Sequence, residues 1–203
     1  MKIIFDFDNT LFHEQPFVER IRAYFQMCGV LPELYDATRK EAYDREVWRQ
    51  FRHMELLAAR SGVLLAHLER KLEETIDEAS AFLYPDVLGF LHQAHSEYPL
   101  NILTFGDAEF QRMKMEGAGV GTFMENVVVT EDIMKAKDAA VLAGGKPALF
   151  VDDNPAALEA TKTHAPYITT VRMNRGDGKY ASTASGSMID YEIRNLEELY
   201  KLL

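Results

Sequence analysis

The sequence is poor in the features that mark secreted and membrane-spanning proteins. It has a single cysteine, Cys28, so it cannot form an intrachain disulfide, which disfavours a small secreted fold held together by disulfide bridges. No stretch approaches the roughly 18 to 20 apolar residues of a membrane-spanning helix. Asp6 and Asp8 interrupt the apolar run at the N-terminus, which therefore lacks the composition of a signal peptide. We expect a soluble, reduced, cytoplasmic protein.

Positive charge is also scarce. The chain has 22 Lys and Arg against 32 Asp and Glu, which gives a net charge of −10. A nucleic-acid backbone or an anionic membrane surface requires a basic face, so we expect neither as a partner. The six histidines are scattered, and no pair has the spacing of a zinc site. With 203 residues, the chain can form one good core and a small second domain, as a monomer or a homodimer.

The N-terminal segment combines an apolar run with two closely spaced acids. Residues 2–5 have the pattern of a short buried strand, and Asp6 and Asp8 follow it directly. The two carboxylates would share one face if the strand continued, at its carboxyl end, where open α/β sheets bind ligands. Two neighbouring anions resist joint ionisation unless a cation joins them. Oxygen ligands of this kind predict Mg²⁺.

The rest of the chain divides into two patterns. Residues 14–83 have helical spacing throughout, with helices predicted from Pro32 to Ala59 and from about Val63 to Phe82, and this indicates a helical insert. A further helix is predicted at the C-terminus, from Leu196 to Leu203. From Pro85 onward, predicted strands alternate with helices, which is typical of right-handed crossovers and a mainly parallel sheet. We therefore predict an α/β fold with a doubly wound, Rossmann-like parallel core formed by residues 1–12 and 84–203. Residues 13–83 would form the helical domain inserted after the first strand.

Chemically suitable residues occur in order at the ends of predicted strands. They are Asp6, Asp8 and Thr10, then Thr104, then a lysine near residues 135–137, then Asp152 and Asp153. Because the strands belong to one sheet, their ends can converge at one edge. Together these residues provide carboxylates for a metal, a hydroxyl for an anion, and a cation.

This ordered set resembles the motifs of the haloacid dehalogenase superfamily of phosphohydrolases. The resemblance covers residues 1–12 and about 84–203, and the helical segment between them resembles the family's helical, C1-type cap. It implies a magnesium-dependent phosphatase that hydrolyses a small phosphorylated metabolite. A phosphomutase uses the same motifs, and a non-catalytic phosphate-binding regulatory module is a further alternative.

The resemblance also implies a role for each motif residue. Asp6 would be the nucleophile that forms an aspartyl-phosphate, and Asp8 the general acid and base. Family members that act on carbon–halogen bonds usually lack this second aspartate. The phosphoryl oxygens would be held by Thr104, the backbone N–H groups of Phe105 and Gly106, and the lysine. The metal ligands would come from Asp6, the carbonyl of Asp8, Asp152 and Asp153.

Two assignments stay open within this set. Lys137 is preferred to Lys135 as the motif lysine because Lys137-Asp138-Ala139-Ala140 resembles the start of the helix that carries it; Lys114 and Lys146 are weaker rivals. Either Asp152 or Asp153 could be the direct metal ligand. Many relatives carry a further acid where this chain has Ala157, with Glu159 just beyond.

A polar loop is predicted near the C-terminus. Residues 174–188 include three glycines and no apolar pattern. Arg172, Arg175 and Lys179 lie in or beside this segment. These three side chains could attract an anionic substrate, but the simpler interpretation is that they are solvated.

Overall fold

The computed structural model describes residues 1–203. The strands are β1 (Lys2–Phe5), β2 (Tyr43–Asp44), β3 (Val47–Trp48), β4 (Leu100–Phe105), β5 (Asn126–Thr130), β6 (Ala148–Asp152), β7 (Ile168–Met173) and β8 (Tyr191–Ile193). The α-helices are α1 (Glu14–Met27), α2 (Pro32–Glu41), α3 (Gln50–Ser61), α4 (Leu65–Asp77), α5 (Val87–Ala94), α6 (Ala108–Gly117), α7 (Ala136–Ala143) and α8 (Pro155–His164). Short 3₁₀ helices cover Ala79–Phe82, Gly121–Phe123 and Leu196–Lys201. No helix combines the length and apolar character required to cross a bilayer.

Six strands form one sheet in the order β5-β4-β1-β6-β7-β8, and every neighbouring pair is parallel. The connections wind outward from β1 in both directions, first to β4 and β5 and then to β6, β7 and β8. This confirms the predicted doubly wound α/β fold. The order reverses at β1, and ligands in such sheets bind beside the carboxyl ends of the strands at that point.

Apolar packing fixes the register of the central strands. Ile4, Leu103 and Phe150 come from three neighbouring strands and lie in one buried cluster with Leu142 and Leu158 of the flanking helices. Each such side chain contributes about 1.5–3 kcal/mol when it is fully buried. A slip by one residue would turn these side chains to the opposite face, so the packing also determines which polar residues lie at the strand ends.

The chain separates into two compact units. The α/β unit comprises Met1–Glu14, Leu83–Phe105 and Val120–Leu203, and the helical unit comprises Gln15–Phe82 and Gly106–Gly119. Residues 106–119, with helix α6, therefore belong to the helical unit, whereas the sequence-based division placed them in the core. The role of the helical unit as a cap stays a prediction.

Close helix packing joins α6 to the rest of the helical unit. A Cβ atom added at Gly117 would lie 2.2 Å from the carbonyl oxygen of Ile76 at the end of α4. Only glycine allows this approach of two backbones. Leu57, Leu68 and Leu72 are buried in the same unit, which accounts for the helical spacing of apolar residues in the sequence.

Three helix predictions were wrong in detail. The helix predicted from Pro32 to Ala59 is interrupted by the hairpin β2–β3, in which Tyr43 pairs with Trp48. The chain reverses at Arg45, which has a left-handed φ of 55° without the glycine or asparagine that usually marks such a turn. The helix predicted from Val63 to Phe82 ends at Asp77 and is followed by a 3₁₀ turn. The C-terminal segment Leu196–Lys201 is 3₁₀ rather than α-helical.

Candidate active site

The carboxyl ends of β1 and β6 bring the two acidic motifs together. Phe5 is paired with Val151, and the N–H of Asp6 donates to the carbonyl oxygen of Val151 at 2.8 Å. Asp6 and Asp152 therefore lie at the same level, at the carboxyl ends of neighbouring parallel strands. Residues separated by nearly 150 positions in the sequence meet because their strands are adjacent in the sheet.

Lys135 lies between these two carboxylates. Its Nζ donates to Asp6 Oδ1 at 2.5 Å and to Asp152 Oδ2 at 2.9 Å, and its side chain is 4% exposed. Lys137, which the sequence analysis preferred, is exposed on α7 and was the wrong choice. Helix α7 begins at Ala136, and Lys135 precedes it in a left-handed conformation with φ of 57°. This backbone turn, rather than the first turn of the helix, presents the lysine to the carboxylates.

The acidic pair after β6 has two chemically different members. Both oxygens of Asp152 are engaged, one by Lys135 and the other by the N–H of Asn154 at 2.8 Å. Asp153 Oδ2 is buried and has no hydrogen-bond partner in the protein. The geometry therefore favours Asp153 as a direct metal ligand and Asp152 as the residue that holds Lys135.

Three carboxylates can fit a divalent cation. Asp6, Asp152 and Asp153 each offer one oxygen, and these oxygens lie within 4.8 Å of one another. All three residues are buried, and the donors are oxygens only, which suits Mg²⁺. A bound cation would also provide a partner for Asp153 Oδ2. The residues present thus fit the metal that the sequence predicts.

Burial changes the protonation of these groups. Burial raises the pKa of Asp6 to about 7, although the positive charge of Lys135 opposes the change. Burial, reinforced by the charges of Asp152 and Asp6, raises the pKa of Asp153 to about 9. Burial alone would lower the pKa of Lys135, but Asp152 and Asp6 outweigh it and raise that pKa above its usual value. The site therefore holds a lysinium and has too little positive charge for its carboxylates.

The other predicted site residues occupy the ends of β1 and β4. Thr104 is buried near the end of β4, and its hydroxyl has no partner in the protein. Phe105 ends the strand, and Gly106 follows with φ of 146° at the start of the second segment of the helical unit. Asp8 is half-buried and lies outside the carboxylate trio, while Thr10 is fully buried. A buried hydroxyl without a partner is suited to bind an anion.

The remaining candidates lie elsewhere. Lys114 is buried in the helical unit, where its Nζ lies 5.3 Å from the ring centroid of Phe110. Lys146 is exposed. Ala157 is fully buried on α8 and has no polar side chain to offer, and Glu159 is half-buried on the same helix. None of these residues belongs to the carboxylate trio.

The interpretation of Arg172 and Arg175 as solvated side chains was wrong. The side chains of Arg172 and Arg175 are 2% and 6% exposed, and Arg175 donates to the carbonyl oxygen of Thr10 at 2.9 Å. The sequence contains no signal for this contact, because it joins residues 165 positions apart. Lys179 is exposed as expected.

Comparisons with known proteins agree with this architecture. A family model described as haloacid dehalogenase-like hydrolase matches residues 3–162. YfnB of Bacillus subtilis, named as a HAD hydrolase and solved with magnesium bound, is 20% identical with a TM-score of 0.68, covering 100% of this chain and 97% of its own. A HAD phosphatase from Thermococcus onnurineus is 23% identical with a TM-score of 0.61 and the same coverage. A 2-haloacid dehalogenase from Pseudomonas syringae is 18% identical with a TM-score of 0.68, again with that coverage. No curated protein matches the sequence.

Proposed function

The chain belongs to the haloacid dehalogenase-like hydrolases, and we propose that it is a magnesium-dependent phosphatase acting on a small phosphorylated metabolite. The observation that carries this proposal is the buried cluster of Asp6, Lys135, Asp152 and Asp153, with Asp8 two residues beyond Asp6. The structural relatives include a phosphatase and a dehalogenase, so the choice between these activities depends on the residues of this chain.

Asp6 is the proposed nucleophile. Its carboxylate would attack the phosphorus atom, form an aspartyl-phosphate and release the alcohol of the ester. Lys135 holds one carboxylate oxygen of Asp6 at 2.5 Å, which fixes the rotamer of that carboxylate. The same ammonium group would balance negative charge as the phosphoryl group arrives.

Asp8 is the proposed general acid and base. It would protonate the leaving oxygen in the first step and remove a proton from water in the second. This residue favours the phosphatase over a dehalogenase, because a halide leaving group requires no proton. Its half-buried position outside the carboxylate trio is compatible with contact to substrate.

Asp6 and Asp153 are the proposed carboxylate ligands of Mg²⁺. The backbone carbonyl of Asp8 and the carboxylate of Asp152 would complete the set of protein oxygens around the cation. When bound, the cation supplies positive charge that offsets the charge of the phosphoryl oxygens and the carboxylates. The buried hydroxyl of Thr104 would donate a hydrogen bond to a phosphoryl oxygen. Water exclusion by the helical unit stays part of the proposal, as does its influence on which metabolite is accepted.

Hydrolysis of 4-nitrophenyl phosphate with and without Mg²⁺ tests the proposal. We expect turnover that depends on the metal and loss of activity by more than ~10³-fold in Asp6→Asn, with the fold retained. Release of inorganic phosphate from a sugar phosphate, without an isomeric sugar phosphate, would separate the hydrolase from a mutase.

A broad panel of phosphate esters covers the choice of substrate. Absence of turnover across this panel, in a folded sample that binds Mg²⁺, would contradict the proposal and favour the non-catalytic phosphate-binding module. Release of halide from a 2-haloacid, with no release of phosphate from any ester, would favour a dehalogenase.

A further inference from the structure

Residues 174–178, which follow β7, form a short strap beside the loop that carries Asp8. The strap is anchored by the N–H of Asn174, which donates to the carbonyl oxygen of Ile193 at 2.8 Å. Gly176 and Gly178 have φ values of 82° and 80°, conformations that favour glycine. A Cβ atom at Gly178 would lie 2.9 Å from Cγ of Asn9, so the strap touches the loop at this glycine.

Arg175 connects the strap to the loop through its whole guanidinium group. Its Nε and Nη2 donate to the carbonyl oxygen of Thr10 at 3.2 and 2.9 Å. Its Nη1 donates to Asp86 Oδ2 at 2.7 Å. The guanidinium carbon lies 4.3 Å from the ring centroid of Tyr84, so the planar group is also held from one face. A buried arginine held on three sides has little freedom to move, and it transmits that constraint to Thr10.

The loop that carries Asp8 turns tightly around the carbonyl oxygen of Phe7. The N–H groups of Thr10, Leu11 and Phe12 all point to the carbonyl oxygen of Phe7. Asn9 lies between Phe7 and Thr10 in the sequence and has a left-handed φ of 59°, a conformation that asparagine adopts more readily than most residues with a side chain. Arg175 holds the carbonyl of the next residue and so stabilises the turn on the far side of Asn9.

A second contact holds the end of the same loop. Tyr84 Oη donates to Asp177 Oδ1 at 2.7 Å, and His13 Nε2 lies 3.3 Å from Asp177 Oδ2. The rings of His13 and Tyr84 stack with centroids 5.1 Å apart. The strap thus contacts the loop at Asn9, Thr10 and His13, on the C-terminal side of Asp8.

We propose that Arg175 is a positioning residue for Asp8: through the Thr10 carbonyl, it fixes the loop backbone so that the Asp8 carboxyl is aligned with the leaving oxygen of the substrate. This inference depends on the proposed function, in which Asp8 is the general acid. Misplacement of a catalytic group by about 1 Å can cost ~10²-fold in rate. If Arg175 had a purely structural role, its replacement would lower the stability of the fold and reduce kcat/KM equally for all substrates.

The dependence of kcat/KM on the leaving group separates these two roles. Nitrophenolate leaves without a proton, whereas the alkoxide of benzyl phosphate must be protonated, and the two esters have similar shapes. In Arg175→Ala we expect kcat/KM to fall ~10-fold or less for 4-nitrophenyl phosphate and ~10²-fold or more for benzyl phosphate. Added guanidinium ion should recover part of the loss. Lys179→Ala, which removes a positive charge from an exposed neighbour, should change neither value.

A double mutant tests whether the effect passes through Asp8. If Arg175 acts by aligning Asp8, Arg175→Ala should reduce kcat/KM for benzyl phosphate by less than about 3-fold in an Asp8→Asn background. A full additional loss in that background would overturn the proposal.

Gly178→Ala provides a second test if Arg175→Ala does not fold. Its Cβ would press on Asn9 without removing a charge, and it should give the same selective loss with benzyl phosphate. Equal losses with both esters in folded variants would overturn the inference while leaving the proposed function intact. Failure of the unaltered protein to hydrolyse either ester with Mg²⁺ would overturn both.

Discussion

The two units bury polar groups in different chemical states. In the α/β unit, the ammonium group of Lys135 joins the carboxyl groups of Asp6 and Asp152, with Asp153 beside them. In the helical unit, Tyr35, Gln50 and His53 are fully buried, and each has at least one polar atom without a partner in the protein. Buried neutral groups cost about 1–3 kcal/mol each when unpaired, whereas concentrated like charges cost more. The charged cluster is therefore the one that requires a functional explanation.

The same difference predicts opposite responses to pH. The raised pKa values of Asp6 and Asp153 mean that the folded α/β unit binds protons that the unfolded chain releases above about pH 4. Without metal, its stability should fall as pH rises from about 4 toward 7 and 9. Burial lowers the pKa of His53 to about 4, so the helical unit should lose stability as pH falls from about 6.5 toward 4.

The largest expected effect distinguishes two lysines that lie two positions apart. Lys135→Met should lower kcat with a phosphate ester by ~10²-fold or more, because it removes the cation held between Asp6 and Asp152. Lys137→Met is the matched control and should stay within about 2-fold of the unaltered protein, since Lys137 is exposed. Comparable losses in both variants would contradict the assigned role of Lys135.

Asp153→Asn should separate stability from metal binding. The amide replaces a buried acid that must take up a proton when the chain folds at pH 8, so without metal we expect a free energy of unfolding higher by about 1–3 kcal/mol. The increase of Tm that saturating Mg²⁺ gives the unaltered protein should disappear. Asp77→Asn, at an exposed site, should change neither quantity. A normal Mg²⁺-induced shift in Asp153→Asn would exclude Asp153 as a ligand.

His53 tests the opposite response in the helical unit. Thr38 Oγ1 donates to the carbonyl oxygen of Leu34, so it accepts a hydrogen bond from His53 Nε2 at 3.1 Å. The other ring nitrogen of His53, Nδ1, is buried without a partner. Protonation of Nδ1 would bury an unpaired charge. Asp6 and Asp153 contribute in the opposite direction over this pH range, so denaturant unfolding of the unaltered protein is compared with that of His53→Gln, which shares their contribution. Between pH 6.5 and 4, the unaltered protein should lose up to about 3 kcal/mol of its free energy of unfolding relative to His53→Gln. His67→Gln, an exposed control, should retain this loss.

The smallest expected effect concerns Gln50. Both polar atoms of its side chain are buried without partners, so Gln50→Met should raise the free energy of unfolding by about 1 kcal/mol. Gln15→Met, on the exposed surface of the same unit, should change it by less than about 0.5 kcal/mol. Destabilisation by Gln50→Met would show that the amide has a partner in solution.

The sequence predicted the features that depend on local pattern. Apolar runs predicted the strands of the sheet. The polar residues at the ends of these runs, Asp6, Thr104 and Asp152, were therefore predicted to lie at the carboxyl ends of parallel strands. The motif order identified a family that the match over residues 3–162 supports. The predicted roles of these residues stay to be tested by mutation.

Two of the wrong predictions share a cause in backbone conformation. The choice of Lys137 failed because Lys135 adopts a left-handed turn before α7, and the hairpin β2–β3 was missed because Arg45 adopts another. Neither residue is of a type that favours this conformation, so surrounding contacts must impose it. Arg175 was misassigned for a different reason, because its partners Thr10 and Asp86 are remote in the sequence.

The most direct test of the account is the site of covalent phosphorylation. An acid-quenched reaction with a ³²P-labelled phosphate ester, followed by identification of the labelled peptide, reports the nucleophile. We predict label on the peptide that contains Asp6, with Mg²⁺ required and Asp6→Asn unlabelled. A protein that turns over the ester while carrying label on another residue, or none on Asp6 in single-turnover samples, would contradict the account.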